Sequence, residues 1–224
     1  MSIRAVKAQT TENQFNNLLV TMGRNVDEAV GKAIAALLHS NSHIVAGVME
    51  SAVAIQELEL SLDHAVFSAL ERGDLPRSEV RRMTSIVNIS KDLARLGKLA
   101  ANLGRKVTEV GKHNEHEDFS RLQPLAIAVS HLCRQTLRSL TRLDVVLARS
   151  AAAGGASVDA YRDYVLRSLN GHHQRATDEQ DNLHLIFASR CLEQIADHAT
   201  HLAESLVNFL AGEHEPEQTH SMAS

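Results

Sequence analysis

The 224-residue chain is 44% hydrophobic but only 3% aromatic, with 3 prolines and 11 glycines; such a composition suits helical bundles and disfavours a β-sandwich or barrel. Its net charge of −4 is uneven: residues 1–112 carry 14 Lys and Arg against 12 Asp and Glu, and residues 113–224 carry 9, all arginine, against 15. A weakly acidic chain without an aromatic-interleaved basic patch is a poor nucleic-acid binder, and a mean hydropathy of −0.16 with no apolar run near 18 residues excludes an ordinary transmembrane helix.

The first ten residues read as a loose start; Met1-Ser2-Ile3-Arg4-Ala5-Val6-Lys7 lacks the apolar segment of a signal peptide. A first helix is predicted from about Glu12 to His39, because Phe15, Leu18, Leu19, Met22, Val26, Val30, Ala33 and Leu37 recur every three or four positions. Ser40-Asn41-Ser42 interrupts that pattern and supplies an N-cap. A second helix follows over about 42–71 and ends at the turn Gly73-Asp74-Leu75-Pro76. A third runs from Pro76 to about Val110. Residues 111–118 have no periodicity and read as a linker. A fourth helix is predicted over about 119–152, carrying Leu122, Leu125, Val129, Leu132, Leu137, Leu140, Leu143 and Leu147. Gly154-Gly155-Ala156-Ser157 reads as a turn, with a fifth helix over about 158–170 closed by Asn170-Gly171. The sixth helix starts near Thr177 and ends near Ala211-Gly212. The polar tail, 213–224, reads as disordered. Cys133 and Cys191 fall inside apolar helical patterns and read as reduced residues of a cytoplasmic protein.

The sixth helix echoes the third. Ser189-Arg190-Cys191-Leu192-Glu193-Gln194-Ile195-Ala196-Asp197-His198-Ala199-Thr200-His201-Leu202 matches Ser90-Lys91-Asp92-Leu93-Ala94-Arg95-Leu96-Gly97-Lys98-Leu99-Ala100-Ala101-Asn102-Leu103 at an offset of 99 residues. Ser, a basic residue, Leu, an aliphatic, a small residue, Ala and Leu recur in register. A helical hairpin cannot cover its own apolar stripe, whereas three antiparallel helices can. The expected fold is therefore all-α: two tandem three-helix bundles related by an internal repeat. The first would occupy residues 1–112, the second 113–212, and the tail 213–224.

The two copies differ in charge. Glu193 and Asp197, spaced i, i+4, stack on one helical face, and Arg190, His201 and Glu204 join them in a stripe about 80° wide at 100° per residue. Spacing alone fits a solvated face, with Arg190–Glu193 and His201–Glu204 as i, i+3 pairs. A metal site would need hard oxygen ligands from further helices, for which Asp159 and Asp144 are candidates and His201 an accessory. In the first copy the carboxylates are gone, replaced by Ala94 and Lys98. Lys91, Lys98 and Arg105 instead form a basic strip with Asn102 between them. That strip is a solvated face, or a docking surface for the acidic strip of a second subunit or an anionic partner. The 13 histidines show no zinc spacing. The sequence holds no phosphate loop, nucleophile elbow or paired cysteine and base, and Glu193-x-x-Ala196 breaks the Glu-x-x-His rule of di-iron bundles.

The run Cys191-Leu192-Glu193-Gln194-Ile195-Ala196-Asp197-His198-Ala199-Thr200-His201-Leu202-Ala203-Glu204 resembles the signature of the PhoU family, as do Met22-Gly23 with Val26 and Ala33-x-x-Ala36-Leu37, Pro76 followed by Arg82, and Asp144 followed by Ala148. The resemblance spans about residues 12–212. It implies paired three-helix bundles and a cytosolic, non-enzymatic regulator. Such a regulator works with the phosphate ABC transporter and its sensor histidine kinase, restraining phosphate uptake and the starvation response when phosphate is plentiful. It implies a homodimer that reaches the membrane through partners, and divalent or iron ions bound by one Glu-x-x-x-Asp motif per repeat. In this chain only Glu193 and Asp197 retain that motif, and Ala52, Ala94, Lys98, Gly155 and Gln194 depart from the family pattern. An accessory protein of another phosphate permease and a metal-storage or metal-dependent helical bundle are the alternative readings.

Overall fold

The computed structural model describes residues 3–39, 41–71, 73, 75–111, 119–170 and 177–212, and among these there is no strand. The predicted linker after Gly111, the cap at Gly171 and the tail 213–224 lie outside the described residues. Among the described residues seven α-helices follow one another: α1 (Ile3–Leu38), α2 (Val45–Glu71), α3 (Arg77–Gly111), α4 (Gln123–Arg142), α5 (Val145–Ala152), α6 (Gly155–Asn170) and α7 (Thr177–Gly212), with single 3₁₀ turns at Ser42–Ile44 and Phe119–Leu122.

Helices α1, α2 and α3 pack on one another, and α4, α5, α6 and α7 form the second group. The repeat is visible in burial. Leu93 and Leu192, Leu96 and Ile195, Ala100 and Ala199, and Leu103 and Leu202 are all fully buried, and Ser90 and Ser189 are buried as well. Their 3.6-residue spacing places each set on the core side of its helix.

The two groups share one continuous core. Helix α3 packs against α7, and α1 against α4. The α3–α7 pair is antiparallel: Arg82 lies over the Phe209 ring, Asp92 meets His201 and Ser205, and Lys106 lies over Phe187. Where α1 meets α4, residue 23 is glycine; a Cβ there would sit 3.0 Å from Leu140 Cδ2.

Two sequence expectations change. Helix α1 begins at Ile3, not near Glu12. The stretch from Ile3 contains no proline and is rich in Arg, Ala, Lys and Gln, which extend a helix readily. More consequential is the predicted fourth helix, 119–152, which is broken at Leu143 and Asp144. Leu143 adopts the left-handed conformation, φ 51, and closes α4, with Asp144 N–H donating to Ser139 O at 3.0 Å. Asp144 Oδ1 then caps α5, accepting from Val146 N at 2.9 Å and Leu147 N at 3.0 Å. The inter-helix turn of the second repeat therefore lies here. The predicted turn at Gly154-Gly155 is only a break between α5 and α6, which starts at Gly155. Shifted by 99 residues, α2 spans 144–170, which α5 and α6 together fill.

Candidate functional site

Helix α7 presents Glu193 and Asp197 away from the core, since Leu192, Ile195, Ala199 and Leu202 take the buried side. They face a cavity of about 330 Å3 between α7 and α6, shared with Asp159, Arg162, Thr200, His201 and Glu204. The helices approach closely at its edge, where a Cβ at Gly155 would meet Thr200 Oγ1 at 3.1 Å. Of the residues nominated from sequence, Glu193, Asp197, Asp159, His201 and Glu204 are thus brought together. Asp144 is not among them; its Oδ1 is spent on the α5 cap.

Sequence reasoning missed the residue at the centre. Arg162 Nη1 donates to Glu193 Oε1 at 2.9 Å and lies 3.2 Å from Asp159 Oδ1. Its Nη2 and Nε donate to Asp163 Oδ1 at 3.1 and 3.2 Å. One guanidinium therefore gathers three carboxylates from two helices, a geometry suited to its planar fork of donors. The Asp163 hydrogen bond, then those from Glu193 and the charge of Asp159, hold the Arg162 proton more tightly than usual despite partial burial. Partial burial, then the charges of Glu193 and Asp159, push the Asp197 carboxyl above its ordinary range. The only signal of Arg162 in the sequence was its i, i+3 spacing from Asp159 on the fifth predicted helix.

The expected local pairs on α7 give way to longer-range ones. Glu193 pairs with Arg162 on α6 and not with Arg190. His201 turns to α3, its Nδ1 3.1 Å from both Asp92 carboxylate oxygens, while Ser205 Oγ donates to Asp92 Oδ2 at 3.2 Å. Asp92 is nearly buried there, with its side chain 13% exposed. Burial and the nearby Arg95 charge push the His198 imidazole below its ordinary value.

In the first repeat Ala94 is buried, leaving no carboxylate at the place of Glu193. Lys98 Nζ lies 3.9 Å from Glu59 Oε2 on α2. Arg105 bends along its own helix, with Nη2 donating to Asn102 Oδ1 at 2.6 Å. The basic strip is therefore partly engaged by its own chain.

With Arg162 in place, the donor set does not fit a metal centre. Among the described residues no group of three or more His, Cys, Asp and Glu side chains is arranged to hold a metal ion. Where Asp159 and Glu193 do converge, a guanidinium nitrogen sits between them, 3.2 and 2.9 Å from their oxygens.

A tandem all-helical repeat with an acidic face on the last helix of its second copy places the chain among two-bundle helical proteins. The PhoU domain matches residues 19–107 and again 125–206. The chain belongs to the PhoU family. It is 28% identical over 198 residues to a Pseudomonas aeruginosa protein named phosphate-specific transport system accessory protein PhoU homolog, an alignment that covers 87% of this chain and 81% of that one. A similarly named protein of Xylella fastidiosa is 26% identical over 206 residues, 90% of this chain and 85% of its own. The crystal structure of PhoU from Pseudomonas aeruginosa superposes with a TM-score of 0.83 at 25% identity, covering 91% of this chain and 99% of that one. The phosphate transport system regulatory protein PhoU from Streptococcus pneumoniae shares the fold, with a TM-score of 0.76 at 18% identity over 91% of this chain and 97% of its own.

Proposed function

We propose that this chain is a cytoplasmic regulator of phosphate uptake and phosphate-starvation signalling. It acts by binding the phosphate ABC transporter ATPase, the sensor histidine kinase, or both, and restrains them when phosphate is plentiful. The observation that carries this reading is the double PhoU match together with relatives, matched over most of their length, that are named as phosphate-specific transport accessory proteins. Two further features support action by binding. In the cavity Asp159 and Glu193 are both paired with Arg162, whose guanidinium also holds Asp163. No described helix is long and apolar enough to cross a membrane, so membrane association would come through a partner.

The test is genetic and biochemical. Deleting the gene should derepress phosphate-starvation genes in cells grown at high phosphate. Affinity purification of the tagged chain from the same cells should recover the transporter ATPase or the kinase. Unchanged expression together with recovery of a different permease would overturn the proposal in favour of an accessory protein for that permease. A homodimer is part of the reading, and sedimentation equilibrium checks it; a monomer across the micromolar range would remove that part.

A further inference from the structure

The point at which Asp159 and Glu193 converge is a cation site that the chain has filled for itself. Arg162 Nη1 stands 3.2 Å from Asp159 Oδ1 on its own helix and 2.9 Å from Glu193 Oε1 on α7. Asp197 lies one turn further along α7, beside the same cavity. Two carboxylate oxygens from two helices aimed at one position are what a cation requires, and a guanidinium nitrogen already occupies it.

The first repeat does the same with its polarity reversed. At the 99-residue offset, Asp63 of α2 corresponds to Arg162 of α6, and Lys98 of α3 to Asp197 of α7. The cation therefore moves from the second helical layer to the third. In the first repeat the ammonium of Lys98 on α3 reaches Glu59 on α2 at 3.9 Å. In the second the guanidinium on α6 reaches Glu193 on α7. In both, a side-chain cation ties the second layer of the bundle to the third.

We propose that Arg162 and Lys98 are built-in cations standing where the family resemblance implied metal ions, so that this chain closes both bundles without metal. Arginine suits the task because it does not lose its proton in proteins, so the clasp is independent of metal supply. A free divalent ion must also displace a tethered competitor whose local concentration is on the order of millimolar or more. The buried Ala94 removes the corresponding ligand in the first repeat, so no carboxylate stands there to bring a metal ion into competition with Lys98. The inference goes beyond the regulatory reading and stands apart from it, since a metal-free chain can still bind a transporter.

Equilibrium dialysis of the purified full-length chain against Mn2+, Zn2+ and, without oxygen, Fe2+, read by elemental analysis, tests it. Wild type and Arg162→Lys should retain only substoichiometric metal, and the wild-type melting temperature should be the same with EDTA as with added Mn2+. Arg162→Gln opens the Asp159–Glu193–Asp197 group and should gain saturable binding at least about tenfold tighter than wild type, lost again in Arg162→Gln with Asp197→Asn. One equivalent of metal on the wild type, abolished by Asp197→Asn, would overturn the proposal. So would a folded Arg162→Gln variant with no gain in binding. Should Arg162→Gln not fold, the wild-type stoichiometry and its response to EDTA decide the matter alone.

Discussion

Because one apolar core runs through both repeats, the chain should unfold as a unit, and a cavity in either repeat should lower the whole transition. Leu192→Ala is the probe. Leu192 is fully buried, as is its repeat mate Leu93. Removing three buried carbons forfeits about 2.4 kcal/mol of transfer free energy at about 0.8 kcal/mol each. The cavity left behind raises the cost to about 3–5 kcal/mol, the span of leucine truncations in rigid cores. For a chain of this length each kcal/mol moves the midpoint by about 2–4 °C, so the melting temperature should fall by on the order of 10 °C. Calorimetry and far-ultraviolet circular dichroism should both show one transition, shifted alike by Leu192→Ala and Leu93→Ala. Two transitions, of which each variant moves only its own, would refute the argument. They would show that the α3–α7 and α1–α4 contacts are too weak to couple the repeats.

The turn at Leu143-Asp144 makes a paired prediction: Asp144→Ala should cost about 1 kcal/mol by removing the α5 cap, and Leu143→Gly should stabilise by up to about 1 kcal/mol by relieving a left-handed leucine that is 45% exposed. Urea titration measures both, and a stabilised Asp144→Ala would contradict the assigned cap. Burial pushes the Cys133 thiol up to about 12, with the charge of Asp27 adding to it, and burial also raises half-buried Cys191. Iodoacetamide at pH 8 should therefore modify Cys191 more slowly than a free thiol and Cys133 only on unfolding; equal, rapid labelling of both in the native protein would be the contrary result. The raised Asp197 carboxyl means that the native state holds its proton longer than the unfolded chain does. Its contribution to stability therefore falls as pH rises through the window above the unfolded value of 3.8. Asp197→Asn should accordingly stabilise at pH 7 by less than about 1 kcal/mol, given its exposure, and have no effect below pH 3.8. Destabilisation at pH 7 would show that Asp197 is held by a partner charge.

The sequence by itself determined the helical class, the repeat and its register. Those depend on apolar periodicity, a local property, and Leu93 with Leu192 or Ala100 with Ala199 could be matched by counting along the chain. It also nominated Glu193 and Asp197, because i, i+4 carboxylates on one face are visible in one dimension. It placed the turn of the second repeat wrongly. The apolar rhythm of Leu140, Leu143 and Leu147 runs straight through a bend made by one left-handed residue and one capping aspartate, while the obvious glycine pair marks only an interruption between α5 and α6. What tertiary structure alone decided was the pairing of charges. Glu193 had a plausible partner in Arg190 one turn away and His201 another in Glu204. The stronger partners came from other helices: Arg162 across the cavity, and the nearly buried Asp92 across the repeat boundary. Ion pairs are settled by which charges share a desolvated space, and that space exists only once α6, α7 and α3 have packed.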